Sequence, residues 1–193
     1  MNPNEKPQPN QLPEKGTLYI DVDGVILPYY DERDVNQPPF QDLEKRWVSR
    51  DEFYYPEVVD TLARIPAMKI LSSSRSVSFF FNSGYNPINE TLKFAGCLSI
   101  DTFRPGHIPY KVRAVAKHWQ QQAPVSWSTH HREDNRAVGP KAVWIDDHAW
   151  VEHDSELAEH PLLADPHFLV IQPLGKVGLT LEQLQQVETF LDE

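Results

Sequence analysis

TLYIDVDGV, residues 17–25, opens with four residues suited to a buried strand and then breaks on two acids and a glycine. A short apolar run that stops at a turn signal reads as a strand covered on both faces, the usual environment of a parallel sheet. Asp21 then stands at the carboxyl end of that strand, with Asp23 two residues beyond it. Gly24 permits the chain to turn so that both acids can face one site.

Moving outward, the same kind of run recurs. Residues 68–71 (MKIL) predict a second strand that runs into Ser72, Ser73, Ser74 and Arg75. Residues 98–103 predict a third strand. Residues 142–145 (AVWI) predict a fourth, ending at Asp146 and Asp147, and residues 167–171 a fifth. Helical patterns lie between them. Residues 56–65 place Val58, Val59, Leu62 and Ile65 on one face behind Pro56, which suits a first turn. Asn86 reads as the cap of a second helix that Gly96 ends. Pro109 opens a third helix, which carries Lys111 and an apolar stripe of Val112, Val115, Ala116 and Trp119. Thr180 and Gln183 have the spacing of a capping box at the start of a last helix. Strand and helix alternate, which predicts an α/β fold: a parallel sheet of about five strands, helices on both faces and right-handed crossovers.

The chain has 193 residues, a length that suits one domain with a normal core. No repeat or interior linker divides residues 16–193. Residues 1–15, polar and proline-rich, read as a disordered lead-in rather than a signal or transit peptide. Hydrophobic residues make up 40% and charged residues 24%, as in ordinary soluble proteins. No apolar run approaches the roughly 20 residues that cross a bilayer, so no membrane partner is expected. Cys97 is the single cysteine, which rules out an internal disulfide and makes a cytoplasmic, reducing location the expectation. The formal net charge of −10 offers nucleic acid no general attraction. A phosphate-rich substrate would have to be met by a metal or a few placed cations.

In a sheet of this kind, sites form at the carboxyl ends of the strands. That rule gathers Asp21, Asp23, Ser73, Lys111, Asp146 and Asp147 at one edge, with Ser72 and Ser74 beside Ser73. Each suits phosphoryl transfer. A carboxylate such as Asp21 can attack phosphorus and form an aspartyl-phosphate. A second acid, Asp23, can protonate the leaving oxygen and later activate water. Lys111 can neutralise phosphoryl oxygens, and Ser73 can donate a hydrogen bond to them. A dense carboxylate cluster calls for a cation, and Mg²⁺ prefers oxygen ligands that bridge to substrate phosphate. Asp21 and Asp146 are the first ligands by this reasoning, with Asp147 close behind.

Taken together, LYIDVDGV, the hydroxyls after the second strand, Lys111 and VWIDD resemble the four motifs of the haloacid dehalogenase superfamily, in the right order. The combination is most similar to small domains of phage and bacterial proteins, including those of Swiss Army Knife RNA repair proteins, and spans about residues 17–191. The resemblance implies a Rossmann-like three-layer sandwich with Asp21 as nucleophile and Mg²⁺ ligand. It implies Asp23 as general acid and base with its carbonyl on the metal, Ser73 and Lys111 on phosphate, and Asp146 as a further ligand. Ser72 or Ser73 fills the hydroxyl position. Ser74 and Arg75 adjoin the phosphate site; Arg75 stands where relatives often carry Trp or a small residue, and either grips substrate or pairs with an acid.

The insert over residues 26–55 leaves room for a flap but no cap domain. An uncapped phosphomonoesterase is therefore expected, acting on a phosphorylated small molecule or a nucleic-acid end. The alternatives are a non-catalytic binding or regulatory protein of this fold, or another phosphotransfer activity of the superfamily. Asp23 argues against a true dehalogenase, and the acidic pair coming last argues against a receiver domain. The aromatics Tyr29, Tyr30, Trp47, Phe53, Tyr54 and Tyr55 either stack on a base or form a small core under the flap. His130, His131 and Arg132 read as a solvated loop, and His148 as a surface histidine or a residue lining the site.

Overall fold

The computed structural model describes residues 15–31, 40–73, 75–98, 108–122, 140–149 and 161–193, with the backbone alone at 76, 77, 108–110, 161 and 162. Five strands form its sheet: β1 (Gly16–Ile20), β4 (Met68–Leu71), β5 (Gly96–Cys97), β6 (Lys141–Ile145) and β7 (Phe168–Ile171). All pairings are parallel, in the spatial order β5-β4-β1-β6-β7. The strand that carries Asp21 is therefore central, and Ile20 pairs with Leu71 on one side and Ile145 on the other.

Alternation along the strands sorts two cores. On one face Leu18, Ile20, Leu71, Val143 and Ile145 pack against α1 (Pro56–Arg64), α3 (Asn86–Leu92) and α5 (Leu181–Asp192). On the other face Tyr19, Ile70, Ala142 and Trp144 pack against Val112, Val115 and Ala116 of α4 (Ile108–Gln122). Helices thus cover both sides of a parallel sheet, the α/β arrangement the alternation predicts. Lys69, buried within β4, is no flaw in this pattern. Its Nζ donates to the carbonyls of Ala63, Ile65 and Ala67, where the end of α1 concentrates partial negative charge.

The insert after β1 contributes an antiparallel hairpin, β2 (Arg46–Trp47) and β3 (Phe53–Tyr54). Rings of Tyr30, Phe40, Trp47, Phe53 and Tyr55 pack edge to face or tilted beneath and beside it, with centroids 5.1–6.2 Å apart. The insert's aromatics are thus largely a small core. A further helix, α2 (Ser76–Phe81), and a one-turn 3-10 helix (Ser83–Tyr85) follow β4.

Two local expectations are corrected. Asn86 is the first residue of α3 rather than its cap; Tyr85 holds the cap position without a side-chain bond, and Asn82 instead accepts from Gly84 N–H at the preceding turn. The helix ends at Lys93, which takes the left-handed conformation (φ 52°), and Gly96 begins β5 instead of closing the helix. By contrast, the Thr180–Gln183 capping box is present with both reciprocal bonds. The third strand, expected from Leu98, is instead seen at Gly96–Cys97, with Leu98 just past its end; residues 99–103 of that expectation, the 1–14 lead-in, His130, His131, Arg132 and Ser74 lie outside the described residues. Among the described residues no helix is long and apolar enough to cross a membrane.

Candidate active site

The site grows from the register of the sheet. Asp21 N–H donates to Ile145 O, Ser72 N–H to Ile20 O and Asp146 N–H to Ile171 O, so the parallel pairing carries one residue past the strand ends. Asp21, Ser72 and Asp146 thereby stand in one row. Tyr19, Ile70 and Trp144 face α4, and residues two positions on share that face. Lys111, in the first turns of α4, meets this row.

Lys111 Nζ lies 2.5 Å from Asp21 Oδ2 and 2.8 Å from Asp146 Oδ2. All three side chains are essentially buried, at 6%, 6% and 0% exposure. Burial alone would lower the lysine's pKa, but the charges of Asp146 and Asp21 outweigh it and hold the ammonium above its usual range. Burial, and then the charge of Asp21, push Asp146 above the usual carboxylate range against the pull of Lys111. The second oxygens are also engaged: Asp21 Oδ1 accepts from Val22 N–H and Asp146 Oδ1 from His148 N–H.

Asp23 sits in a second ion-pair group. Its Oδ2 is 3.0 Å from Arg75 Nε, while Arg75 Nη1 is 2.5 Å from Glu52 Oε1. Tyr85 O–H donates to Glu52 Oε2 at 2.6 Å and accepts from Arg75 Nη1 at 3.2 Å. Arg75 is thus shared between two carboxylates. Burial raises Asp23 to about 6, opposed by Arg75 and assisted by Asp21, Glu52 and Asp147. Of the two expectations for Arg75, the structure displays the pairing with acids.

Asp147 is held from both sides. A Cβ on Gly24 would lie 2.2 Å from its Oδ2, and one on Gly175 would lie 2.6 Å away. Gly24 also has φ 71°, so the turn and the close approach both require glycine there. His148 Nδ1 lies 2.9 Å from Asp147 Oδ1. Burial raises the Asp147 carboxyl, against the opposing charge of His148.

One ligand atom each from Asp146, Asp147 and His148 lie within 4.8 Å of one another. The oxygens of Asp21 and Asp146 both reach a single ammonium. Buried carboxylates at this density, with Asp146 and Asp147 both raised by burial, suit a hard divalent cation, which oxygen ligands favour. The donor set therefore fits a divalent cation of that kind, with His148 also a partner of Asp147.

Of the serines, Ser73 is buried and its Oγ accepts from Arg75 N–H at 3.2 Å. Ser72 is wholly buried, and its Oγ finds no hydrogen-bond partner among the described residues. The structure brings together Asp21, Asp146 and Lys111 directly, Asp147 beside them, and Asp23 with Arg75 next to them. The residues that sequence reasoning missed are Glu52, Tyr85 and Gly175. Nothing local marks them, because their roles exist only through contacts with residues distant in sequence. No family model matches the chain, and no curated protein matches it.

Proposed function

We propose that the chain is a Mg²⁺-dependent phosphomonoesterase of the haloacid dehalogenase type, working through an aspartyl-phosphate on Asp21. One observation carries the reading: a single buried lysine spans two buried carboxylates at adjacent strand ends, with a third acid, Asp23, raised to about 6 two residues from the first. A structural ion pair needs one carboxylate per cation, and burying a second is costly without a further use.

Asp21, Asp146 and the Asp23 carbonyl, with Asp147 behind them, would hold Mg²⁺, which when bound neutralises phosphate charge and polarises the phosphoryl group. Asp21 attacks phosphorus as the bond to the leaving oxygen breaks, and Asp23 delivers its proton to that oxygen. Lys111 offsets the charge of the attacking carboxylate and of the phosphoryl oxygens. Ser73 has its hydroxyl proton to offer a phosphate oxygen, since its Oγ already accepts from the backbone. Asp23, now ionised, takes a proton from water. The water oxygen attacks phosphorus, the bond to Asp21 breaks, and inorganic phosphate leaves. A carboxyl raised to about 6 exchanges protons readily near neutral pH, which suits both duties.

The test is rapid-quench labelling with a phosphomonoester in the presence of Mg²⁺. Asp21→Asn is expected to abolish phosphate release and labelling. Asp23→Asn is expected to accumulate label on Asp21, with phosphoenzyme formation impaired less for a nitrophenyl phosphate than for an alkyl phosphate. Full activity in Asp21→Asn, or label on Asp23, overturns the assignment. A non-catalytic binding protein would release no phosphate from any substrate tried.

A further inference from the structure

Glu52 and Tyr85 reach Arg75 from two separate parts of the chain, and each is held before it does so. Glu52 stands just before β3, and its carbonyl accepts from the N–H groups of Val48 and Ser49, which fixes its backbone in the hairpin turn. Tyr85 is buried in the 3-10 helix, where its ring stacks on Phe79 with centroids 5.0 Å apart. The two supports also touch each other closely: a Cβ on Gly84 would lie 3.0 Å from Val48 Cγ1.

A guanidinium is planar and rigid, so its outer nitrogens and its Nε cannot be aimed independently. Arg75 Nη1 lies 2.5 Å from Glu52 Oε1 and 3.2 Å from the Tyr85 hydroxyl. Tyr85 O–H in turn donates to Glu52 Oε2 at 2.6 Å, which closes a triangle around Nη1. With Nη1 held, Nε is aimed at Asp23 Oδ2, 3.0 Å away. The backbone of Arg75 is held as well, since its N–H donates to Ser73 Oγ and its carbonyl accepts from Phe79 N–H. An arginine side chain carries about 2 kcal/mol of rotamer entropy, so a contact with Asp23 alone would leave the pair loose. Fastening the hairpin needs only Glu52 and Arg75. The same guanidinium also holds the acid that moves protons in the proposed reaction.

We infer that Glu52 and Tyr85 are positioning residues for Asp23 and act through Arg75. The hairpin and the 3-10 helix set the guanidinium, and the guanidinium sets the carboxyl that hands its proton to the leaving oxygen. With Arg75 on Oδ2, the proton is carried on Oδ1. The inference rests on the phosphomonoesterase reading above.

The experiment measures kcat/KM of the full chain with Mg²⁺ on a nitrophenyl phosphate and an alkyl phosphate, each variant at its own pH optimum. This constant covers the reaction up to departure of the leaving group. A nitrophenolate leaves with little help from a proton, whereas an alkoxide needs one. A smaller share of folded protein lowers both values alike, so their ratio reports the acid. Glu52→Gln keeps the shape and removes the charge; it is expected to lower the alkyl value at least about tenfold and the nitrophenyl value less than about threefold, part of the roughly hundredfold or more that a positioned acid contributes. Tyr85→Phe keeps the stack on Phe79 and is expected to move the ratio the same way by about threefold. In an Arg75→Ala background, Glu52→Gln is expected to change the ratio less than about twofold, because the connecting group is gone. Thermal melts show which variants fold, and Tyr85→Phe decides alone if Glu52→Gln does not. Asp21-dependent release with a ratio that either folded variant leaves in place overturns this inference and leaves the parent reading standing, as does an undiminished Glu52→Gln effect in the Arg75→Ala background. No Asp21-dependent release from either ester overturns both.

Discussion

Replacing Lys111 by methionine removes the cation and keeps most of the side-chain volume. Asp21 and Asp146 would then face each other, 6% and 0% exposed, with no cation among the described residues in place of the 2.5 and 2.8 Å contacts. Breaking a buried pair by deleting one partner costs about 3–5 kcal/mol, because the uncompensated charge remains buried. Here two carboxylates are left, so the upper end applies. Against a typical stability of about 5–15 kcal/mol, that loss is large. At about 2–4 °C per kcal/mol for a chain of this size, the melting temperature should fall by roughly 10 °C or more.

The chain can relieve part of the cost by protonating Asp146, whose pKa already lies above the usual range with the lysine present. A carboxyl whose folded pKa is raised contributes stability that is present below its unfolded pKa and lost as pH rises through the folded value. Without Lys111 that folded value climbs further. The gap between variant and parent should therefore be smaller at pH 5 than at pH 8. Urea unfolding in EDTA at both pH values measures it. Lys111→Met with Asp146→Asn should recover more than half of the loss, since one charge is then gone. A single variant within about 1 kcal/mol of the parent at pH 8, below the cost of an unpaired buried charge, would refute the reasoning, as would a double variant no better than the single.

Gly24→Ala should lower stability by at least about 1–2 kcal/mol from the left-handed backbone alone, and by more because its Cβ would meet Asp147 Oδ2 at 2.2 Å; thermal melts and phosphate release should fall together. Arg75→Ala removes a charge that lowers the Asp23 pKa, so that pKa should rise above about 6. The limb of the kcat/KM profile that needs protonated Asp23 should then move to higher pH for an alkyl phosphate, and a shift to lower pH contradicts the pairing. Ser72→Ala deletes a buried hydroxyl without a partner among the described residues, so unfolding in denaturant should show a change within about 1 kcal/mol or a slight gain; a rise in KM would mark that hydroxyl as a phosphate ligand.

Much of the sheet was legible because its signals are local. The runs at residues 17–20, 68–71 and 142–145 are continuous and apolar enough to read as buried strands, and their order dictates that their ends converge. Asp21 and Asp146 could be placed together on that basis, 125 positions apart in the chain. Lys111 was harder to read, since its value depends on α4 packing over Tyr19 and Trp144. The Asn86 cap failed because Asn82, four residues earlier, satisfies the turn that leads into α3. Glu52 and Tyr85 carried no signal. A glutamate in a hairpin turn and a tyrosine in a 3-10 helix look ordinary until the fold sets both on Arg75. The same holds for Gly175, whose purpose is to leave space for Asp147.

The two acids of the DVDG turn differ in how their cations are shared. Lys111 sits between Asp21 and Asp146, wholly inside the protein, whereas Arg75 divides itself between Asp23 and Glu52 in a half-buried position. With Asp147 and its partner His148 added, five carboxylates among the described residues gather against Lys111, Arg75 and one histidine. A phosphate dianion cannot enter such a field favourably by itself, and Asp23 near pKa 6, with Asp146 and Asp147 also raised by burial, can shed part of the excess by holding a proton. The remainder calls for a divalent cation, which the same carboxylates attract. On the proposed function, phosphate and Mg²⁺ must then favour each other's binding by equal factors, because coupling between two ligands is reciprocal. A site that held phosphate as tightly in EDTA as in Mg²⁺ would contradict this charge balance, whichever residues proved to touch the phosphate.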